Sequence, residues 1–277
     1  VLYFALPCML FRFGMNTPIF DLLNPAVLGV YVVSALLIVF FTIAVTLREP
    51  VHLKDAAFGA LVAAFPNTGF MGVPLLVALL GPAAAGPVIC TVLADLFITS
   101  SLCIALAQAH EASGQGARAA ALRALRGALS NPLPWSIALG ALFSVMDWKL
   151  AGPPDQVVRM LADSASPVAL FTIGAVLWRA GQHAHTRTPP SRYLPVAAIK
   201  LFVHPLLIFC GAAAAKALGA PLSSFQVVVL TLAAALPSAS NVSLLAERYG
   251  ADNGRIARII MSSTALAFIS FSALAWL

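Results

Sequence analysis

The stretch "AAFPNTGFMGVPLL", residues 63–76, decides how the rest of the chain is read. It lies in the middle of an apolar run long enough to cross a bilayer. It nevertheless holds two prolines, two glycines and an asparagine. A proline inside a helix removes one backbone hydrogen bond and clashes with the preceding turn, at about 3 kcal/mol or more. Each glycine adds roughly 1 kcal/mol. In hydrocarbon the freed backbone groups find no water, so such a segment must be buried in protein or line a wet cavity.

The rest of the composition fits a bilayer. The 277 residues are 61% hydrophobic and 9% charged, and the mean hydropathy is +0.94. A soluble domain carries about 25% charged residues, so this chain could not coat a water-facing surface. The expected fold class is an all-α polytopic membrane protein. The net charge of +6 comes without a long basic run or a polar aromatic platform, which argues against nucleic acid as a partner. The four cysteines, Cys8, Cys90, Cys103 and Cys210, lie in apolar stretches without metal-ligand spacing. They read as small hydrophobes. Neither a metal nor a cofactor is expected.

A span needs about 20 apolar residues. The apolar runs predict nine spans, at 1–17, 26–47, 56–80, 84–109, 132–148, 156–178, 193–218, 224–247 and 256–277. Arginine and lysine then fall on alternate gaps. One side holds Arg48, Lys54, Arg118, Arg123, Arg126, Arg179, Arg187, Arg192, Arg248, Arg255 and Arg258. The other holds Lys149 and Lys216, with Arg12 and Arg159 near span ends. The richer side, including the 110–130 loop, is therefore expected to be cytoplasmic. Arg12 is expected to snorkel to the outer surface.

Two segment pairs look alike. "FALPCMLFRFG" (4–14) resembles "SASPVALFTIG" (164–174), and "LVAAFPN" (61–67) resembles "LAAALPS" (232–238), which matches Pro66 to Pro237. In the expected topology the members of each pair run in opposite directions, as in inverted-repeat carriers. An ordinary kink explains one proline. Two interrupted helices at matching places, each with an asparagine beside the break (Asn67 and Asn241), point instead to a binding site. Five spans per half would require one further helix before Val1, which is not an initiator methionine.

"PNTGFMGVPLL" (66–76) and "ALPSASNVSLLAERYGAD" (235–252) resemble the two crossover motifs of the auxin efflux carrier family, which includes bacterial malonate and malate permeases. "SNPLPWSIALGALF" (130–143) and "AAIKLFVHPLL" (197–207) are similar to its sixth and eighth helices. Phe70 and Ser238 depart from the family pattern. The resemblance implies ten helices in two inverted halves of five, nine of them visible here, with two discontinuous helices that cross. It implies scaffold helices at 1–24 and 131–181, a cytoplasmic linker at 111–130, and a mobile transport domain formed by 25–110 and 192–277. It also implies an elevator-type motion, a homodimer through the scaffold, and a bacterial inner-membrane location among lipid.

The substrate expected on this reading is a small carboxylate. Half-helix N-termini carry about +0.5 charge, and the candidate binding residues are Pro66, Asn67, Thr68, Gly69, Pro237, Ser238, Ser240 and Asn241. Asp95, Lys200 and His204 are intramembrane polar residues, which should face the protein interior. They are candidates for coupling or charge compensation, with Lys200 able to neutralise Asp95 or attract an anion, and with structural hydrogen bonding as the plainer role. A sodium-coupled symporter of the bile-acid carrier type is the alternative. An intramembrane enzyme would need a catalytic motif, and no GxSxG, HExxH or paired aspartate motif occurs. A channel would pass current without saturation.

Overall fold

The computed structural model describes residues 4–16, 24–109, 132–182 and 188–276. The 111–130 linker and the histidines of 183–187 lie outside the described residues. Every regular element among the described residues is helical.

Helix α1 (Ala5–Asn16) is followed by α2 (Pro25–Thr46). Asn24 caps α2, its side chain accepting from Ala26 N at 3.1 Å and Val27 N at 3.2 Å. Pro25 sits where its missing N–H costs nothing. The expected span 56–80 is two helices, α3 (Leu53–Ala64) and α4 (Thr68–Leu80). Helix α5 (Pro82–Gln108) contains a π turn at Asp95–Thr99. Helices α6 (Pro132–Val145) and α7 (Pro153–Gln182) come next. Helix α8 (Leu194–Ala217) has a π turn at Ile199–Val203. The expected span 224–247 is again two helices, α9 (Ser224–Ala235) and α10 (Asn241–Arg248), and α11 (Asn253–Trp276) ends the described chain.

Helices α2, α5, α8 and α11 are each long and apolar enough to cross a membrane. The half-helix α3 and the C-terminal part of α9 are enclosed. Residues 56–64 of α3 and 229–235 of α9 are all buried. A helix that is apolar all round belongs in the interior, and the alanines of α3 allow neighbouring helices to approach closely. Large apolar side chains point outward elsewhere, including Phe40 of α2, Phe171 of α7 and Phe268 of α11. That is the pattern of a protein whose outer solvent is lipid.

Helix α1 packs against α6 through glycine. A Cβ on Gly14 would stand 2.7 Å from the Ile137 carbonyl, and one on Gly140 would overlap the Phe11 carbonyl. Phe11 and Phe143 close the seam edge to face, with centroids 5.2 Å apart. Arg12 does not simply snorkel to the surface as expected. Its Nη1 donates to Asp155 Oδ1 at 2.8 Å, in the first turn of α7, where the helix dipole also favours the carboxylate.

Candidate functional site

Each break ends its first half-helix two residues before a proline, at Ala64 and at Ala235. The residue before proline is pushed out of the α region, and Phe65 (ψ 98°) and Leu236 (ψ 153°) are indeed extended. The two extended pieces then pair with each other. Pro66 and Ser238 form an antiparallel bridge. Asn67 N donates to Pro237 O at 2.8 Å, and Ala239 N donates to Phe65 O at 2.9 Å. Each extended piece thus satisfies a backbone carbonyl of the other, as buried backbone groups in hydrocarbon require.

A cavity of about 20 Å³ opens beside this bridge, with room for roughly one water. Pro66, Asn67, Gly69 and Asn241 line it, together with Leu6 and Leu10 of α1. Asn67 is 5% exposed. Its side chain does not cap α4 and faces the cavity. The Asn67 carbonyl is committed, accepting from Met71 N and Gly72 N at 3.0 Å. The Oδ1 of Asn241 is buried without a partner among the described residues. Gly69 has nothing within 4 Å of where a Cβ would stand.

The other expected binding residues lie off this cavity. Thr68 is fully buried, and its hydroxyl turns back to Pro66 O at 3.4 Å. Pro237 borders a separate, apolar groove of about 540 Å³ between α4 and α11. Ser238 N is held by Ser263 Oγ of α11 at 3.2 Å, and its own hydroxyl is buried without a partner among the described residues. The Ser240 carbonyl accepts from the Ser243 hydroxyl at 2.9 Å.

Asp95, Lys200 and His204 form a second, fully buried cluster. Asp95 accepts from Tyr31 Oη at 2.7 Å and from Thr99 Oγ1 at 3.1 Å. In the π turn the Asp95 carbonyl accepts from Ser100 N and also from Ser100 Oγ at 2.7 Å. Lys200 Nζ donates to Ala234 O at 2.6 Å and lies 3.1 Å from His204 Nδ1. The expected neutralisation of Asp95 by Lys200 is not made as a contact pair: no ion pair joins them among the described residues. Lys200 instead reaches the last turn of α9, where the broken helix leaves a carbonyl without its usual donor and the dipole favours a cation. Tyr31 bridges the two halves of the cluster, with its ring 6.2 Å from that of His204. Sequence reasoning missed Tyr31. A tyrosine in the middle of an apolar span, whose hydroxyl must find a partner when buried, was the available signal.

Residues 1–275 match the family described as "Membrane transport protein". The chain belongs to that family, which takes in the auxin efflux carriers. The transporter is 27% identical over 282 residues to a Rhizobium meliloti (strain 1021) protein named "Putative malonate transporter", a match covering all of this chain and 84% of the relative. It is 25% identical over 196 residues to the Escherichia coli (strain K12) "Uncharacterized transporter YfdV", and equally to its Shigella flexneri counterpart. Those matches cover 70% of this chain and 59% of each relative, so the aligned stretch spans under two thirds of those proteins. The transporter is an integral membrane protein, and its bacterial relatives imply an inner-membrane location.

Proposed function

We propose that the transporter is a secondary carrier or uniporter of small organic anions, with the cavity beside the paired breaks as the substrate site. The observation that carries this reading is the reciprocal pairing of Asn67 with Pro237 and of Ala239 with Phe65. It brings the starts of α4 and α10 together and sets Asn67 and Asn241 on one cavity. The positive ends of two half-helices suit a carboxylate. The two asparagine amides add donors that can orient it.

The matched breaks support an inverted repeat of five helices per half with two crossing discontinuous helices. Helices α1, α6 and α7 would form the scaffold, through which a homodimer would assemble. The remaining helices would move as an elevator, carrying the site past Leu6 and Leu10 of α1. The charge on Lys200 would stabilise the second break and compensate, at a distance, for Asp95. The relative named for malonate supports a carboxylate as cargo.

The test is uptake of labelled mono- and dicarboxylates into liposomes holding the full-length protein, with imposed pH or voltage gradients. Saturable uptake of at least one acid is expected, reduced at least tenfold in Vmax/KM by Asn67→Ala and by Asn241→Ala. Unchanged kinetics in both variants, at equal protein abundance, would remove the cavity from the substrate path. Uptake that requires sodium would favour the bile-acid-carrier type of symport.

A further inference from the structure

Half-helices α3 and α10 lie against each other and are joined at both ends. At the breaks, Asn67 N meets Pro237 O and Ala239 N meets Phe65 O. At the far end, the turn after α10 returns to the first turn of α3, where Asp252 N donates to Asp55 Oδ1 at 2.8 Å. Between the two ends, the rings of Phe58 and Tyr249 stand 6.1 Å apart.

Arg255 fastens that far end. It lies in the first turn of α11 and is only 2% exposed despite its charge. Its backbone N–H donates to Asp252 Oδ1 at 2.9 Å. Its guanidinium donates from Nη1 to the Asp55 carbonyl at 2.8 Å and from Nε to the Arg192 carbonyl at 3.0 Å. One side chain thus ties the start of α3, from the first half of the chain, to the lead-in of α8 and the start of α11, from the second. Gly59 makes room for it, since a Cβ there would stand 2.9 Å from Arg255 Nη1.

A buried charge is costly unless it is hydrogen-bonded, and these bonds go to the backbone of segments that must keep their places. The surface of α3 is mostly small: Ala56, Ala57, Gly59, Ala60, Ala63 and Ala64 let neighbouring helices approach closely. Such a surface offers little that interlocks against sliding along the axis. Helix α3 is a rod of roughly 18 Å, so a slip at Asp55 is carried to Phe65 at the break. We propose that Arg255 is a positioning residue of transport, holding α3 lengthwise so that residues 65–67 stay in register with residues 237–239. Its consequence for uptake rests on the substrate site proposed above; its effect on the breaks does not.

The test is amide hydrogen exchange read by mass spectrometry on the full-length protein in liposomes, without substrate. The reporters are the Asn67 and Ala239 amides that pair across the breaks. Arg255→Met is expected to speed their exchange about tenfold, with the α1–α6 crossing unchanged. Gly59→Ala is expected to do the same by displacing the guanidinium, although alanine is the better helix former. It should add nothing to Arg255→Met, where the atom it strikes is absent. Gly59→Ala retains the arginine, so it decides the matter if Arg255→Met does not fold. In both single variants, uptake of the labelled mono- and dicarboxylate panel, malonate included, should fall at least tenfold in Vmax/KM. Unchanged exchange at the breaks in variants with a monodisperse size-exclusion profile, or an equal rise at the α1–α6 crossing, would overturn the proposal. Faster exchange with wild-type uptake would overturn the role in transport. Uptake indifferent to Asn67→Ala and Asn241→Ala would remove the substrate site instead, and the exchange result would stand apart from it.

Discussion

The Ala234 carbonyl accepts a 2.6 Å hydrogen bond from Nζ of Lys200. In an unbroken helix that carbonyl would accept from the N–H four residues on, at Ser238. The break sends Ser238 N to Ser263 instead, and a lysine from α8 takes its place. A fully buried lysine is thereby fixed against the C-terminal end of a helix, where its charge is most favoured.

Lys200→Met fills similar space and leaves that carbonyl unpaired. A buried polar group without a partner costs about 1–3 kcal/mol. We expect a lower Tm in detergent and at least a tenfold loss of uptake. Wild-type values for both would mean that Lys200 does not support the break.

Tyr31 and Asp95 belong to different helices and meet at 2.7 Å in a fully buried contact. Tyr31→Phe removes one of two hydroxyl donors to the carboxylate and leaves Thr99. The expected loss of stability is about 1–3 kcal/mol, the cost of leaving a buried polar group short of a partner. A double-mutant cycle with Asp95→Asn, read by equilibrium unfolding in detergent, should show coupling above about 0.5 kcal/mol. Strict additivity would show that the two side chains act independently.

Gly140 sits where any Cβ would overlap the Phe11 carbonyl. Because the obstacle is backbone, no rotamer change relieves it. Gly140→Ala should force α1 and α6 apart at about 1–3 kcal/mol. A lower Tm is expected, without loss of the helical circular-dichroism signal. An unchanged Tm would contradict the close glycine crossing of α1 and α6.

How much of this was legible in the sequence depended on the kind of signal. Pro66 and Pro237 announced the breaks because proline acts on its own neighbours, whatever the fold. The half-helices therefore end within two residues of those prolines. Asn67, Gly69 and Asn241 were legible as polar or small residues beside the breaks, and the cavity gathers them. Thr68 and Ser240 carried the same signal, yet their backbone partners are local. The Asp95–Lys200 pairing was the natural guess from charge alone. The two are not in contact, because a backbone carbonyl left open by the second break takes the lysine. Sequence spacing contains no trace of that carbonyl's direction. The π turns at Asp95–Thr99 and Ile199–Val203 left no trace in the apolar pattern either; their polar residues meet partners on other helices, Tyr31 for Asp95 and the Ala234 carbonyl for Lys200.

Gly69 offers the most direct measurement. It lines the cavity beside the paired breaks, and a Cβ there meets nothing within 4 Å. Gly69→Cys is placed in a background whose four native cysteines are replaced, and its reaction with a small water-soluble thiol reagent is timed in liposomes. If the two breaks enclose a wet substrate site, the cysteine reacts, and a transported carboxylate slows the reaction in proportion to its occupancy. A cysteine that never reacts, or that reacts at one rate whatever carboxylate is present, would contradict the account.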